Sequence, residues 1–581
     1  MTFAGFFYIS LTLFGLGLFY KVSCWFRYGL GEKTGEMSLA NRVYAAVKGI
    51  TLTLLSNKIV VLLRVFLFDA LFQAKTFKSN RFRWCMHMCL FAGFMGLLLM
   101  HALDKFTTSY LFTDYYPTLN PFLFLRNLFA FMVITGLLLA VYRRFFLKEP
   151  RLITRPMDAY AIILLAAIMV SGILLEGAKI SSYTRYQDMV ADYADLDAQE
   201  SGALESYWVN DFGVASPVLN GPFDKTVLAL GRELHETNCA ECHSAPRWAF
   251  LSYGTAKVVK PIAAKLDRFG LPTILWYIHF LACFIGLAYL PFSKMFHVFT
   301  GPLSLMANAV MNRETSDPAN MATKQILELD ACTHCGACTS ACAVGIAFEA
   351  IHNVYILPSE KIPAVKALAA GKKLDEQELR TIQSGLVLCT NCYRCTGVCP
   401  VGINLQDLWF DAREALLQKD YPEFFMFSPL SLYRANKREE MLRDRYQKPL
   451  HRARQAVADA CGPACAPGTL IGHTLLDGGF KRLLALSVQG QTSSSCFNCK
   501  TCTLACPVVR NYDNPGEALG MMPHQIIHAA NVGLANLAFS SRMLWSCLGC
   551  YECQEHCPQG VEVADVLYEL KMLAINRFSK G

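Results

Sequence analysis

Sixteen of the 24 cysteines stand in four runs of one spacing. The first run is Cys332, Cys335, Cys338 and Cys342. The second is Cys389, Cys392, Cys395 and Cys399, followed by Pro400. The third is Cys496, Cys499, Cys502 and Cys506, followed by Pro507, and the fourth is Cys547, Cys550, Cys553 and Cys557, followed by Pro558. Short turns let three thiolates reach one iron–sulfur cube, while the fourth, lying beyond, reaches the neighbouring cube. Cys332, Cys335, Cys338 and Cys399 are therefore expected to hold one 4Fe–4S cluster, and Cys342, Cys389, Cys392 and Cys395 the next. Cys496, Cys499, Cys502 and Cys557 form a third ligand set, and Cys506, Cys547, Cys550 and Cys553 a fourth. Zinc is the competing use of such thiolates, but complete quartets at ferredoxin spacing favour clusters. The proline ends the turn and is not a ligand, so Ala343 in its place changes nothing. Matching cysteines of the two halves lie 164 residues apart at the first position and 158 at the fifth, an internal repeat.

A fifth motif, Cys239-Ala240-Glu241-Cys242-His243, is a c-type haem attachment sequence. The two thiols bond the vinyl groups and His243 is the proximal iron ligand. Gly231-Arg232-Glu233-Leu234-His235 precedes it, as the first helix of a class I cytochrome c would. No methionine occurs between 244 and 270, which leaves Met189 and His235 as distal candidates within the loop, beside an open or partner-supplied position. His235 is more often a packing position in such a helix. Zinc would need more cysteine or histidine than this loop offers. Cys24, Cys85, Cys89, Cys283, Cys461 and Cys465 belong to no motif, and Cys461 and Cys465 read as structural.

The elements that position these groups begin in a membrane. Hydrophobic residues make up 53% of 581 and charged residues 17%, too apolar for an ordinary soluble chain, and the apolar share concentrates before residue 305. The formal charge of +8 omits the anionic cluster thiolates, so no nucleic-acid partner follows from it. Phe3–Tyr20 lacks the basic flank and small-residue cleavage site of a signal peptide and reads as a span. Ile59–Phe72, with Arg64 and Asp69, is short for a span and reads as an amphipathic interfacial helix. Further spans are expected at Trp84–Leu103, Phe122–Tyr142, Met157–Leu175 and Leu271–Leu290. Residues 22–83 hold ten basic residues and 143–156 hold five, while 105–121 holds only Lys105. The positive-inside rule puts the first two stretches in the cytoplasm, with the N-terminus and the loop 177–270 outside and everything after about 300 inside.

Four histidines then acquire depths. His87 and His297 lie at the inner ends of the second and fifth spans, and His101 and His279 at the outer ends. Their spacings of 14 and 18 residues correspond to about 21 and about 27 Å of helix. Histidine inside a span is costly and usually functional. His101 with His279 is expected to hold an outer b haem, and His87 with His297 an inner one, with Pro291 as a kink point before His297. In helix count, histidine order and the spacing of the last pair, residues 80–300 resemble the gamma subunit of respiratory nitrate reductase. That resemblance implies a five-helix cytochrome b with two bis-histidine haems and exchange of electrons with quinone, although no quinone motif is legible.

The second cysteine module carries Met522-Pro523-His524-Gln525-Ile526-Ile527-His528 and Cys557-Pro558-Gln559-Gly560-Val561-Glu562-Val563, and closely resembles the C subunit of heterodisulfide reductase. The first module resembles the same ferredoxin type more loosely. Together with the cytochrome b, the modules resemble membrane subunits of heterodisulfide-reductase-like respiratory complexes. That family's substrate cluster needs adjacent cysteines, and this sequence has no Cys-Cys pair, so heterodisulfide chemistry is not expected here. The c-type insertion and the duplicated ferredoxin depart from the family pattern.

The expected architecture is α-helical. Residues 1–176 give four transmembrane helices and the interfacial helix, 177–270 a periplasmic cytochrome c insertion, and 271–305 the fifth transmembrane helix. Residues 320–420 and 491–581 form two ferredoxin modules, closed by helices over Asn404–Gln418 and Val561–Asn576. The linker 421–490 is basic over Arg434–Arg454, a solvated or headgroup-facing surface. No nucleotide fingerprint or nucleophile–base constellation appears. The expected protein is an inner-membrane respiratory oxidoreductase subunit with two haems b, one haem c and four 4Fe–4S clusters. It moves electrons between menaquinone or the outer haem and the inner clusters. The partners are lipid, menaquinone, a cytoplasmic reductase and a periplasmic cytochrome. The alternative is a quinone-independent conduit from a periplasmic cytochrome or hydrogenase to a cytoplasmic reductase. A self-contained reductase of a small molecule lacks a substrate site.

Overall fold

A computed structural model describes residues 3–31, 34, 37–112, 115–147, 152–419 and 476–578. Among them every regular element is a helix. Along the chain these are α1 (Phe3–Arg27), α2 (Leu39–Leu54), α3 (Lys58–Val65, continued by a π turn Phe66–Leu71), α4 (Arg81–Leu97, continued by a π turn Leu98–Ala102), α5 (Phe122–Phe145) and α6 (Pro156–Ser181). Then come α7 (Tyr183–Tyr193), α8 (Ala198–Tyr207), α9 (Lys225–Asn238), α10 (Phe250–Arg268), α11 (Leu271–Tyr289), α12 (His297–Val310) and α13 (Pro318–Ala331). The last third has α14 (Pro358–Ala369), α15 (Glu376–Val387), α16 (Leu405–Gln418), α17 (Gly478–Leu486), α18 (Pro523–Val532) and α19 (Val563–Phe578), with shorter helices between.

Five helices are long and apolar enough to cross a membrane: α1, α4 with its π turn, α5, α6, and α11 with the turn after it. These match the five expected spans. The chain divides into two compact units, one made of Met1–Lys21, Phe72–Glu149 and Thr154–Phe296, the other of Val22–Leu71, Pro150–Ile153 and His297–Gly581. In the first unit α4 lies against α5 because glycines clear the contact. A Cβ at Gly96 would stand 2.6 Å from the Phe129 ring, and one at Gly136 would stand 2.8 Å from Leu90. Small residues are what allow apolar helices to approach where lipid removes the hydrophobic drive. The first turn of α6 carries buried Asp158, which pairs with Arg144 at the end of α5 and with Lys294 after α11.

The fifth span ends where expected, just before the kink point at Pro291, and the break there is sharper than a kink. It stops at Tyr289, tightens into a 3₁₀ turn over Leu290–Phe292, and is followed by a second such turn, Lys294–Phe296. Pro291 has no N–H to continue the ladder, and its ring crowds the preceding turn. His297 therefore opens α12, and the length drawn from an 18-residue helical spacing does not apply.

Packing also divides the stretch 177–270. Residues of α7 and α8 and the turn after α8 form one apolar cluster that includes Cys239, whereas α10 runs along α6. Gly177 permits this approach, since a Cβ there would meet Ser252 O at 2.9 Å.

In the second unit α2 and α3 meet at a bend of 93°, and as a pair they are long and apolar enough for one further span. The segment read as interfacial is α3 with its π turn. Buried Arg42 of α2 donates to Tyr28 O at 2.6 Å and Trp25 O at 2.7 Å, and Trp25 Nε1 donates to Asp330 of α13 at 2.8 Å. The expected closing helices appear as α16 and α19, each with a buried apolar side: Leu408, Trp409 and Ala412 in one, Leu567, Leu570 and Ala574 in the other. The basic run Arg434–Arg454, Cys461 and Cys465 lie outside the described residues.

Candidate redox centres

All four cysteine runs share one backbone device. The residues on either side of the second cysteine are left-handed: His334 and Gly336 around Cys335, Asn391 and Tyr393 around Cys392, Asn498 and Lys500 around Cys499, Gly549 and Tyr551 around Cys550. A residue with a side chain reaches that region only at a cost of about 1 kcal/mol or more. His334, Tyr393, Lys500 and Tyr551 bear that cost without the easing that asparagine brings. Such a turn aims successive backbone N–H groups at one point, the concavity that holds phosphates and iron–sulfur centres. Sulfur receives backbone donors directly, Asn498 N–H within such a turn to Cys496 Sγ at 3.4 Å and, outside it, Val561 N–H to Cys557 Sγ at 3.2 Å.

In the second module the fold brings cysteines of different runs to the same cavity. Cys496, Cys499, Cys502 and Cys557 line one cavity with Lys500 and His524. Cys506, Cys547, Cys550 and Cys553 line another with Met543 and Leu567. In the first module Cys335, Cys332 and Cys399 are the nearest charges to Cys338, with Cys395 beyond, and Cys389 and Cys392 lie within reach of Cys342. Burial pushes the Cys342 thiol up to about 11 and Cys399 and Cys553 up to about 12. Thiols so desolvated become thiolates only against bound cationic metal. Cys389 differs: burial raises it, but Lys361, Arg413 and hydrogen bonds with Asn391 N–H and Gln406 together leave it below the ordinary thiol value. Among the described residues no three Cys, His, Asp or Glu side chains converge as for a single metal ion.

The c-type motif follows directly on α9. Gly231 lets α9 cross α8 closely, since a Cβ there would stand 2.7 Å from that of Tyr207. The turn after α9 is made by Cys239 N–H to His235 O at 2.8 Å and His243 N–H to Cys239 O at 2.9 Å. Cys239 is buried and Cys242 half-buried. The connector between α4 and α5 clasps this turn: Thr118 Oγ1 donates to Cys242 O at 2.6 Å, and Ser244 N–H donates to Thr118 O at 3.0 Å. The His243 ring meets Trp208 edge-on at 5.7 Å. Of the two distal candidates, Met189 packs against the apolar cluster that includes Cys239. His235 sits among Tyr207, Trp208 and Phe212, with a buried Nδ1 that has no hydrogen-bond partner among the described residues. Burial lowers the affinity of both His243 and His235 for a proton, and the nearby His243 reinforces this at His235.

In the membrane bundle the structure brings His101 and His279 together, with ring centroids 6.2 Å apart and planes at 43°. Two imidazoles sharing one metal ion at the usual bond of about 2 Å place their centroids about 6 Å apart. His101 lies on the π turn that ends α4, a distortion that often marks a functional position. Nδ1 of His279 is 3.1 Å from Ile168 O and 3.2 Å from Ser171 Oγ on α6. A carbonyl only accepts, so Nδ1 carries the proton and Nε2 keeps its lone pair, the arrangement that a backbone carbonyl imposes on a ligating histidine. His87 belongs to the first unit and His297 to the second.

Sequence reasoning missed several contributors. Gly172 and Ser171 carry no motif, yet they seat His279. Lys361 reads as one lysine of an ordinary helix, yet it is buried among cysteines. The device around each second cysteine was open to discovery in part, because Gly and Asn recur there: Gly336, Asn391, Asn498 and Gly549.

Comparison with known proteins agrees with this geometry. A family model described as a 4Fe-4S dicluster domain matches residues 328–403 and again 492–561. The chain is similar to the C subunit of the ferredoxin:CoB-CoM heterodisulfide reductase of Methanosarcina mazei, 37% identical over 95 residues, 16% of this chain and 54% of that one. It is similar to the EtfAB:quinone oxidoreductase of Syntrophomonas wolfei, 21% identical over 377 residues, 57% of this chain and 45% of that one. A third relative is the E subunit of the dihydromethanophenazine:CoB–CoM heterodisulfide reductase of Methanosarcina barkeri, 28% identical over 124 residues, 20% of this chain and 47% of that one. The chain spans about half the length of these relatives. No solved structure matches it. The two modules are thus 4Fe–4S dicluster domains, carried on a chain with membrane-length helices.

Proposed function

We propose that this chain is the membrane-bound electron-transfer subunit of a respiratory oxidoreductase. It moves electrons between the quinone pool or a periplasmic haem c and cytoplasmic 4Fe–4S clusters, through two b haems in the inner membrane. The observation that carries the reading is the His101–His279 pair, set at a separation at which two imidazoles can share one iron, with the His279 tautomer fixed from α6. Bound haems and clusters supply the one-electron chemistry, and the chain spaces and tunes them. His101 and His279 hold the outer haem b, His87 and His297 the inner one, and Cys239, Cys242 and His243 the haem c. The four cysteine quartets hold one cluster each, in the crosswise sets given above.

The partners of this reading are menaquinone, a cytoplasmic reductase and a periplasmic cytochrome. Relatives named for quinone and dihydromethanophenazine favour a quinol as the membrane partner. Heterodisulfide reduction is left out, because no two cysteines are adjacent. The test is purified full-length protein mixed with a menaquinol analogue. Reduction of b-type absorbance that a quinone-site inhibitor blocks supports the proposal. Haems that ignore quinol but fill through haem c replace it with the quinone-independent conduit, and protein without b-type absorbance overturns both.

A further inference from the structure

The two dicluster modules differ at one buried position. Each has a helix opening on proline, α14 at Pro358 and α18 at Pro523. The next residue of each donates its backbone N–H to a threonine hydroxyl in the cysteine run: Ser359 to Thr339 at 3.2 Å, His524 to Thr503 at 3.4 Å. The helices therefore occupy equivalent places, and two residues further on Lys361 in the first module answers to Ile526 in the second. Both are buried, Lys361 at 1% exposure and Ile526 at 0%.

Lys361 has no carboxylate partner and no hydrogen bond among the described residues. Its Nζ lies 5.2 Å from the centre of the Trp409 ring. A buried cation without a compensating anion is strongly disfavoured. The anions within its reach are Cys342, Cys389 and Cys395. Arg413 adds a second buried cation, donating to Cys389 O at 3.0 Å, where the second module has half-buried Lys571 donating to Cys547 O at 3.2 Å. The charges that act most on Cys338, Cys399, Cys502, Cys506 and Cys553 are other cysteines.

We infer that Lys361 gives the cluster held by Cys342, Cys389, Cys392 and Cys395 the highest reduction potential of the four, making it the electron sink of the chain. The inference rests on the ligand sets proposed above. One-electron reduction adds a negative charge to the cluster, and a fixed buried cation favours the reduced form, since net charge and exposure set cluster potentials.

The test is a dithionite titration of the full-length protein through redox mediators, followed by electron paramagnetic resonance, with iron and acid-labile sulfide counted alongside. In Lys361→Met the highest of the cluster potentials is expected to fall while the iron count holds. The converse change, Ile526→Lys, is expected to raise one potential of the second module. Full iron with an unmoved highest potential in Lys361→Met overturns the inference. Should Lys361→Met lose a cluster, Ile526→Lys decides, and an unmoved potential there overturns it. Failure of the ligand sets shows differently: Cys342→Ala would then alter the same resonance signal as Cys332→Ala instead of the one that Cys392→Ala alters.

Discussion

A Cβ on Gly172 would stand 3.0 Å from Cε1 of His279 and 3.3 Å from its Nδ1. The imidazole therefore lies on a gap in α6, between the Ile168 carbonyl and the Ser171 hydroxyl that fix its tautomer. Alanine would press the ring by a few tenths of an ångström, and a branched side chain would displace it. Gly172→Val is expected to lose the b-type absorbance of one haem, as His279→Ala and His101→Ala should, while Gly172→Ala shifts its potential and keeps it. Haemochrome quantitation on membranes checks this, and Gly172→Val with both b haems intact and unshifted would count against the seat.

The crosswise ligand sets make a sharper statement. Cys399 stands in the second run, but it lies with Cys332, Cys335 and Cys338. Cys399→Ser should perturb the cluster of the first run, and Cys342→Ser the cluster of the second. Each is expected to remove or convert one cluster, about four irons per chain at most. The two variants should alter different resonance signals. Cys399→Ser altering the signal that Cys392→Ser alters, rather than the one that Cys332→Ser alters, would show that each run holds its own cluster.

How much of this was legible in the sequence depended on range. Cluster and haem c motifs are local, because three thiolates on one turn, or two and a histidine, need only short spacings. Span positions were legible for a similar reason, since a bilayer imposes a length of apolar chain. Helix continuity was not: Pro291 stops α11, so the depth assigned to His297 from residue counting was lost. Burial was not legible either. Lys361 and Arg413 look like solvated charges in the sequence, and only the packing of α14 and α16 around the cysteine turns encloses them. The departure of α10 to lie along α6 depends on Gly177, whose significance needs the partner helix.

Acid should destabilise the second module through His524. Burial first, then Lys500 and His528, hold this imidazole down to about 4, whereas an exposed imidazole titrates near 6.5. Between those values the unfolded chain binds the extra proton, so stability falls as pH drops from about 6.5 towards 4 and is level above about 7.5. The loss between pH 7.5 and 5 is roughly 2 kcal/mol. His524→Gln should flatten that slope, read as the denaturant midpoint of cluster absorbance from the second module at several pH values. A variant whose midpoint falls as steeply as the wild type would remove His524 from the account.

The connector between α4 and α5 joins two centres that the sequence places far apart. Tyr115 donates its hydroxyl to the carbonyl of Met100, next to His101. Three residues on, Thr118 donates to the carbonyl of Cys242, next to His243, and Arg126 supports the segment by donating to Pro117 O at 3.0 Å. A short stretch of hydrogen-bonded chain thus runs from the backbone beside His101 to the backbone beside His243. Losing a single such bond costs about 1 kcal/mol, too little to unfold the bundle or to break the covalent attachment proposed at Cys239 and Cys242. Thr118→Val and Tyr115→Phe should therefore keep full b-type and c-type absorbance. What they change is the spacing and rigidity between the two centres, so electron exchange between haem c and the outer haem b should slow several-fold. Stopped-flow reduction by a quinol analogue, followed at the two haem wavelengths, resolves the step. Equal rates in wild type and both variants would show that the connector only holds the loop in place.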